Sequence, residues 1–350
     1  MQTQEITTSL AQRWQELKEK EPRLRIRNAA QKLGVSEAEL LATTVGTEAI
    51  RLKSDWKALL TGLPKLGPVM SLTRNEGCVL EHHGTFEEVK VFGKGDHQMG
   101  IVIGPIETRV FLKSWHVAFA VRQEQKDRIL VSIQVFDHSG EAITKIYMQP
   151  DTDEDAYEQL LEDLRSDDQS TEQSVTPYET PSYEENPDQK AFLEDWGALK
   201  DTHGFFPLLK KHNVHRYHAV ELAEKKFTYK IPVSSIQTML EKAAKQQLPI
   251  MVFAGNRGNL QIHQDKVRTI KVMDHGGNRW LNVLDPKFNM HLREDLVDSV
   301  WVVRKPTTDG DVTALECYDQ AGEMIVQFFG LRKPGIAELT EWRDLVADLG

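Results

Sequence analysis

The chain has 350 residues, 40% hydrophobic and 27% charged, with a formal net charge of −10. That length exceeds a comfortable single core, so two domains are expected, with the composition of an ordinary folded globular protein. The acidic balance argues against broad electrostatic binding to nucleic acid or anionic lipid, while leaving room for a local basic pocket.

No apolar run approaches the roughly 18 residues that a membrane span needs. Residues 1–6 lack the basic and apolar regions of a secretory signal. Cys78 and Cys317 lie in different halves and neither has a CxxC partner. Free thiols in a reducing, cytoplasmic setting are therefore expected.

In chain order, residues 9–20 read as an amphipathic helix with Leu10, Trp14 and Leu17 on one face. Over 25–41, Gly34 breaks one helix, and Ser36 with Glu39 forms a capping box for the next. The pattern admits a DNA-binding helix-turn-helix or an ordinary helical hairpin. The second helix opens Glu37-Ala38-Glu39, the wrong charge for an approach to phosphates, which favours the hairpin.

From Val69 the texture changes to short β-branched and aromatic runs: 69–72, 78–82, 88–92, 100–103, 108–112, 117–121, 129–136 and 142–147. Turn signals such as Asn75-Glu76-Gly77 and Ser139-Gly140 separate them, so an antiparallel sheet of meanders is predicted. A helix follows over 153–164. Residues 166–190 carry Pro177, Pro181 and Pro187 and almost no aliphatic side chains, the composition of an inter-domain linker. The expected domains are 1–165, then the linker at 166–190, then 191–350.

The pattern then repeats. Trp14 aligns with Trp196 at an offset of 182 (196−14), and Asn75-Glu76-Gly77 with Asn256-Arg257-Gly258 at 181 (256−75). Phe136-Asp137 through Gly140-Glu141 aligns with Tyr318-Asp319 through Gly322-Glu323 at 182 (318−136). A near-constant offset over most of both halves points to internal duplication. The fold class is α+β: a tandem repeat, each unit a large antiparallel sheet with flanking helices.

Just past the linker, Phe192, Trp196, Leu199, His203, Phe206 and Leu209 fall at helical spacing. This is an apolar stripe with an imidazole in its middle. His203 is either a core histidine satisfied by its neighbours or a neutral ligand offered to a flat apolar cofactor, as haem iron is often held. The repeat isolates it, because His203 falls on Glu21 in the first half. Arg109 falls on Asn289 in the second. A residue present in one half only is not explained by shared architecture.

Four motifs then look familiar in their order and spacing: Asp201-Thr202-His203-Gly204-Phe205-Phe206, Arg109-Val110-Phe111-Leu112, Arg304-Lys305-Pro306-Thr307-Thr308-Asp309-Gly310 and Gln327-Phe328-Phe329-Gly330-Leu331-Arg332. Nearly the whole chain apart from the linker resembles the cytoplasmic haemin-degrading and haem-trafficking proteins of bacterial haem-uptake systems. The resemblance implies haem, haem b with its iron, as the ligand, seated between two similar halves that form a saddle. It implies His203 as the axial iron ligand and Arg109 on the distal face, the two catalytic candidates. Phe111, Phe206, Gln327 and Phe329 would contact the porphyrin, and Arg216, Lys305 and Arg332 would meet its propionate edge. Two positions depart from the pattern. Gly204 stands beside the ligand where relatives often carry a polar residue, and Phe329 stands where a tyrosine is expected.

The residue types suit that chemistry. Haem needs an iron ligand, apolar walls, cations at one edge and control of the opposite face. Arginine meets carboxylates with a bidentate fork. Each cation is alternatively an ordinary solvated surface charge. Arg109, set in the apolar run Val110-Phe111-Leu112, needs an acceptor if it faces a core. Oxygen chemistry at the haem could supply one, and so could a backbone carbonyl or a buried acid. Gly93-Lys94-Gly95 lacks the dinucleotide-binding spacing, so electrons for ring opening would come from an external donor. His212, His215 and His218 recur every three residues with Glu221 near, compatible with a transition metal or with surface histidines.

The leading expectation is a haem-binding protein that degrades haem oxidatively to release iron. The alternative is a carrier handing haem to a partner oxygenase or taking it from an importer. A DNA-binding regulator using 25–41 and a module for another apolar ligand are further readings. No nucleic-acid partner and no membrane insertion are expected.

Overall fold

The computed structural model describes residues 9–125, 128–333 and 335–350. The expectation about a secretory signal falls on residues 1–6, outside that range. No helix among the described residues is long and apolar enough to cross a membrane.

Helices α1 (Leu10–Lys20), α2 (Ile26–Leu33) and α3 (Glu37–Ala42) come first, then strand β1 (Ala49–Leu52) and helix α4 (Trp56–Gly62). Strands β2 (Val69–Arg74), β3 (Cys78–Gly84), β4 (Glu88–Phe92), β5 (Met99–Ile103) and β6 (Glu107–Phe111) follow. Then come β7 (Trp115–Gln125), β8 (Arg128–Asp137), β9 (Ala142–Met148) and the closing helix α5 (Glu154–Leu164). The order then recurs with α6 (Gln189–Gly197), α7 (Phe205–His212), α8 (Arg216–Leu222), β10 (Thr228–Ile231) and α9 (Ser235–Gln246). Next are β11 (Pro249–Gly255), β12 (Asn259–Lys266), β13 (Ile270–His275), β14 (Asn278–Asp285) and β15 (Phe288–Arg293). Strands β16 (Ser299–Lys305), β17 (Val312–Tyr318) and β18 (Met324–Gly330) and helix α10 (Thr340–Ala347) end the chain. The expected tandem α+β organisation is what the structure shows, with β4 on the very residues of the run read at 88–92.

Two compact units result. One gathers Met1–Leu72, His83–Glu179 and Asn256–Asn259; the other gathers Thr73–His82, Thr180–Gly255 and Leu260–Gly350. In the first unit the strands run β1-β7-β8-β9-β2 and β6-β5-β4. In the second they run β10-β16-β17-β18-β11-β12 and β3-β15-β14-β13.

Both faces of each main sheet are buried, because side chains alternate along a strand. Along β16, Val300 and Val302 join a core with Met239, Leu240 and Trp342 of α9 and α10, whereas Trp301 and Val303 join Phe192, Trp196 and Phe205 of α6 and α7. Along β7, Ala118 and Ala120 face one core, and Val117, Phe119 and Val121 face another with Leu41 and Ala42 of α3.

The duplicated Asn-x-Gly turns do the same work twice. The Asn75 side-chain oxygen accepts from the N–H groups of Gly77 and Cys78, and its Nδ2 donates to the Ile325 carbonyl at 2.8 Å. Asn256 accepts from Gly258 and Asn259 and donates to the Ile143 carbonyl at 2.8 Å. Glycine follows because there is no room for more. A Cβ on Gly77 would meet Ile325 at 2.8 Å, and one on Gly258 would meet Ile143 at 2.5 Å.

Gly34 ends α2 in the left-handed region, φ 69°, and the Ser36–Glu39 capping box starts α3 as read from sequence. Helix α3 buries Glu37, Ala38, Leu40, Leu41 and Ala42, so it has no side-chain face free to enter a nucleic-acid groove. Cys78 and Cys317 are free and fully buried, and burial pushes both thiols well above their usual range.

The start of the expected linker lies along the first unit through polar contacts, while residues from Thr180 on belong to the second. The Arg51 N–H donates to Gln169 Oε1 at 3.1 Å, and Gln169 Nε2 donates back to the Arg51 carbonyl at 2.9 Å. The Arg51 guanidinium donates to the carbonyls of Ser170 and Glu172 and to Gln173 Oε1. Backbone and amide groups hold this segment where apolar side chains are missing.

Candidate functional site

The apolar stripe through His203 is not one continuous helix. Helix α6 ends at Gly197, and a 3-10 turn over Thr202–Gly204 precedes α7 at Phe205. Pro207 explains the restart. It lacks an N–H and is tolerated only in a helix's first turn, so α6 cannot run through it. Phe192, Trp196 and Leu209 are buried as the stripe predicts, but the His203 side chain is 90% exposed and Phe206 is 73% exposed. The core-histidine reading is therefore overturned: His203 is a surface imidazole beside an exposed phenyl ring.

Asp201, in extended conformation, starts the turn. Its Oδ1 accepts from the His203 backbone N–H at 2.7 Å and stands 2.5 Å from the ring Nδ1. The backbone hydrogen bond and then the ring contact hold this carboxyl below its usual range. Nε2 has no hydrogen-bond partner among the described residues. The preceding residue is tied down as well, since the Thr308 N–H donates to the Lys200 carbonyl at 3.1 Å.

Beneath this turn lies a charged cluster. Phe205 is buried edge-on to Trp196, ring centroids 4.6 Å apart. The Lys305 ammonium stands 4.5 Å and the Arg216 guanidinium 5.2 Å from the Phe205 ring centre. Both cations are held by Glu316, whose side chain is fully buried. Arg216 forms a fork, Nη2 to Oε1 at 2.6 Å and Nε to Oε2 at 3.2 Å. Lys305 Nζ donates at 2.7 Å and Gln327 Nε2 at 2.9 Å, and the Tyr318 hydroxyl also donates. Neither cation is the solvated surface charge that composition alone suggests.

Burial alone would raise the Glu316 pKa, but Arg216 and Lys305 outweigh it and hold the carboxyl well below the usual range. Burial brings Lys305 down to about 8 against the opposing pull of Glu316. Burial would also lower Arg216, yet Glu316 keeps it raised. Two cations thus meet one carboxylate, an excess of one positive charge at neutral pH.

The structure brings Arg216, Lys305 and Gln327 together on Glu316. Phe329 lies two residues beyond Gln327 on β18, hence on the same strand face, and packs on Phe253 at 5.0 Å. Arg332 Nη2 lies 3.7 Å from Asp309, while its Nε is buried without a partner among the described residues. The Arg332 charge is also felt by Asp201. The second unit therefore holds a ligand-competent imidazole, exposed aromatic surface and unsatisfied cationic capacity, a donor set that fits an anionic, apolar, metal-bearing disc.

Arg109 and Phe111 belong to the first unit. They share the partly exposed face of β6, while Thr108 and Val110 point into the core. Arg109 is thus not aimed at a core. Its guanidinium is held by Glu107 at 2.8 Å and by the carbonyls of Thr108 and Val102 at 3.3 and 3.4 Å. Of the spaced histidines, His212 Nε2 pairs with Asp195 at 2.7 Å and His215 Nε2 lies 3.8 Å from Glu323. No group of three or more His, Cys, Asp or Glu among the described residues is placed to hold a metal ion.

Sequence reasoning missed Asp201, Glu316 and Tyr318 as site residues. A signal for Glu316 was available: it is a lone acid in the apolar run Val312–Tyr318, the same oddity that drew notice to Arg109.

The haemin-degrading HemS.ChuX domain family matches residues 34–164 and again 213–349. The chain is 35% identical over 347 residues to the hemin transport protein HmuS of Yersinia pestis, covering 98% of each chain. It is 43% identical to PhuS, a haem-binding protein from Pseudomonas aeruginosa whose holo crystal structure superposes with a TM-score of 0.93, covering 98% of this chain and 99% of that one. The structure of ChuS, described as an E. coli haem oxygenase, is 34% identical with a TM-score of 0.87, covering 98% of this chain and 99% of that one.

Proposed function

The chain belongs to the haemin-degrading HemS/ChuX domain family, and from that premise we propose that it binds haem in the cytoplasm and opens the haem ring to release iron. The observation that carries the haem reading is His203, a surface imidazole with Nδ1 engaged and Nε2 without a hydrogen-bond partner among the described residues. Exposed Phe206 offers apolar contact beside it. Arg216, Lys305 and Arg332 supply positive charge for the two carboxylates of haem, and Gln327, Phe329 and Phe111 are assigned to contacts with the ligand. Bound haem supplies an iron centre that takes up oxygen and electrons, and the electrons come from an external donor. Arg109 is assigned the role of donor toward oxygen.

A haemin titration followed in the Soret region tests the site. Wild type is expected to saturate near one haem per chain and His203→Ala to bind far more weakly. Equal binding by both would remove His203 from the site. Turnover is tested with reductant, oxygen and catalase: loss of the haem spectrum with an open-chain product supports degradation.

A carrier reading has one specific observation in its favour. The Arg109 charge is already met by Glu107, and its guanidinium also donates to two carbonyls, which weakens it as a donor toward oxygen. A carrier keeps its haem spectrum under the same reductant and passes haem to a partner oxygenase.

A further inference from the structure

We propose that Asp201 is a positioning residue that fixes the tautomer and direction of the His203 ring, so that Nε2 is the nitrogen presented to iron. The identity of the metal rests on the haem reading above; the orienting contact does not.

A side chain 90% exposed has almost nothing around it to set its rotamer. Left alone, the ring would sample several rotamers and offer either nitrogen, and ordering it on binding would cost conformational entropy. One oxygen removes that freedom. Asp201 Oδ1 receives the His203 backbone N–H at 2.7 Å and lies 2.5 Å from Nδ1, so the ring is tied to the same atom that closes its own turn. With the Nδ1 proton donated to a carboxylate, the lone pair of the neutral ring lies on Nε2. Imidazoles that ligate metals commonly hand their second N–H to a carboxylate in this way, which fixes the tautomer and strengthens the ligand.

The anchor itself is fixed to the fold. Asp201 follows Lys200, whose carbonyl accepts from Thr308 at 3.1 Å. Phe205, two residues beyond His203, is buried against Trp196. The turn is held at both ends while the imidazole between them stands in solvent. Capping the turn needs only the backbone hydrogen bond, which asparagine serves as well as aspartate. The ring contact is therefore an addition to the cap: Asp201→Asn keeps an acceptor oxygen but removes its charge, and Asp201→Ala removes both.

The test uses the full chain labelled with 15N-histidine, without haem, at about pH 8.5 where an ordinary imidazole is neutral. The His203 signal is assigned by its loss in His203→Ala. Wild type is expected to show the Nδ1–H tautomer alone, Asp201→Asn a mixture and Asp201→Ala a larger shift. In the ferrous haem complexes, the iron–histidine stretch is expected to fall in frequency from wild type to Asn to Ala. Haemin affinity is expected to drop about tenfold in Asp201→Asn, the low end for losing an outer partner. An identical tautomer in wild type and both variants overturns the proposal, as does an iron–histidine stretch that does not move. A tautomer shift in a protein that fails to bind haemin supports the orienting contact and overturns the haem reading instead.

Discussion

In the first unit, Glu37 at the start of α3 reaches down to Lys145 on β9; in the second, Arg216 at the start of α8 reaches down to Glu316 on β17. The sheet partners have changed places to match. At an offset of 182, Gln134 stands where the second unit has Glu316 (316−134), and Lys145 where it has Gln327 (327−145). The same niche between helix and sheet is thus filled twice with opposite polarity. The first pair is closed and neutral. The second recruits Lys305 and is left one positive charge in excess under Phe205. The Asn-x-Gly turns, by contrast, repeat the bonds to their own backbone and to an isoleucine carbonyl. Backbone devices keep the fold and tolerate little change, while side-chain electrostatics are free to diverge, and the divergence marks the unit that bears the ligand-competent histidine.

That contrast can be broken most forcefully at Glu316. Glu316→Gln leaves two buried cations without a counter-charge, and urea melts should show a loss of about 3–5 kcal/mol. Glu37→Gln should cost less, about 1–3 kcal/mol, because one cation rather than two loses its partner. Equal losses would mean that the two niches are energetically alike despite their charges. Where the units agree, effects should agree: Gly77→Ala and Gly258→Ala each force a methyl against an isoleucine and should each cost about 1–3 kcal/mol by thermal or urea unfolding. A twofold disparity between them would undo the claim of equivalent turns.

A smaller effect concerns pH. Lys305, brought down to about 8 by burial against the opposing pull of Glu316, loses its charge as pH rises through that value, and the cluster goes from one positive charge to none. Affinity for an anionic ligand, haemin included, should therefore weaken about fivefold above that pH, a loss of order 1 kcal/mol. Lys305→Arg, which keeps its charge, should flatten the profile. Least in energy, Arg51→Ala should leave the melting profile almost unchanged while speeding protease cleavage near 169–173.

Much of this was legible in the chain. Short β-branched and aromatic runs between turn signals located the strands of the first half, and β4 spans Glu88–Phe92, one of those runs. Strand β1 escaped because four residues, Ala49–Leu52, are too few to show a period and one of them is Arg51. The duplication was visible because both copies keep the residues that cap and turn. His203 was misplaced by trusting helical spacing across a break that Pro207 enforces four residues later. Glu316 shows in the sequence only as a lone acid in an apolar run; its partner Arg216 lies 100 residues away, and no local pattern reports such a meeting.

The amide that links Gln169 to Arg51 has a further consequence. Strand β1 is the outermost strand of its sheet, and such a strand offers unpaired N–H and C=O groups to any other extended chain. The Gln169 side chain takes both polar groups of Arg51 as a neighbouring strand would, and the Ser166 N–H adds a bond to the same carbonyl at 3.0 Å. The polar segment after α5 therefore acts as a seal against edge-to-edge aggregation, and its worth would show in colloidal behaviour at high concentration rather than in any binding curve.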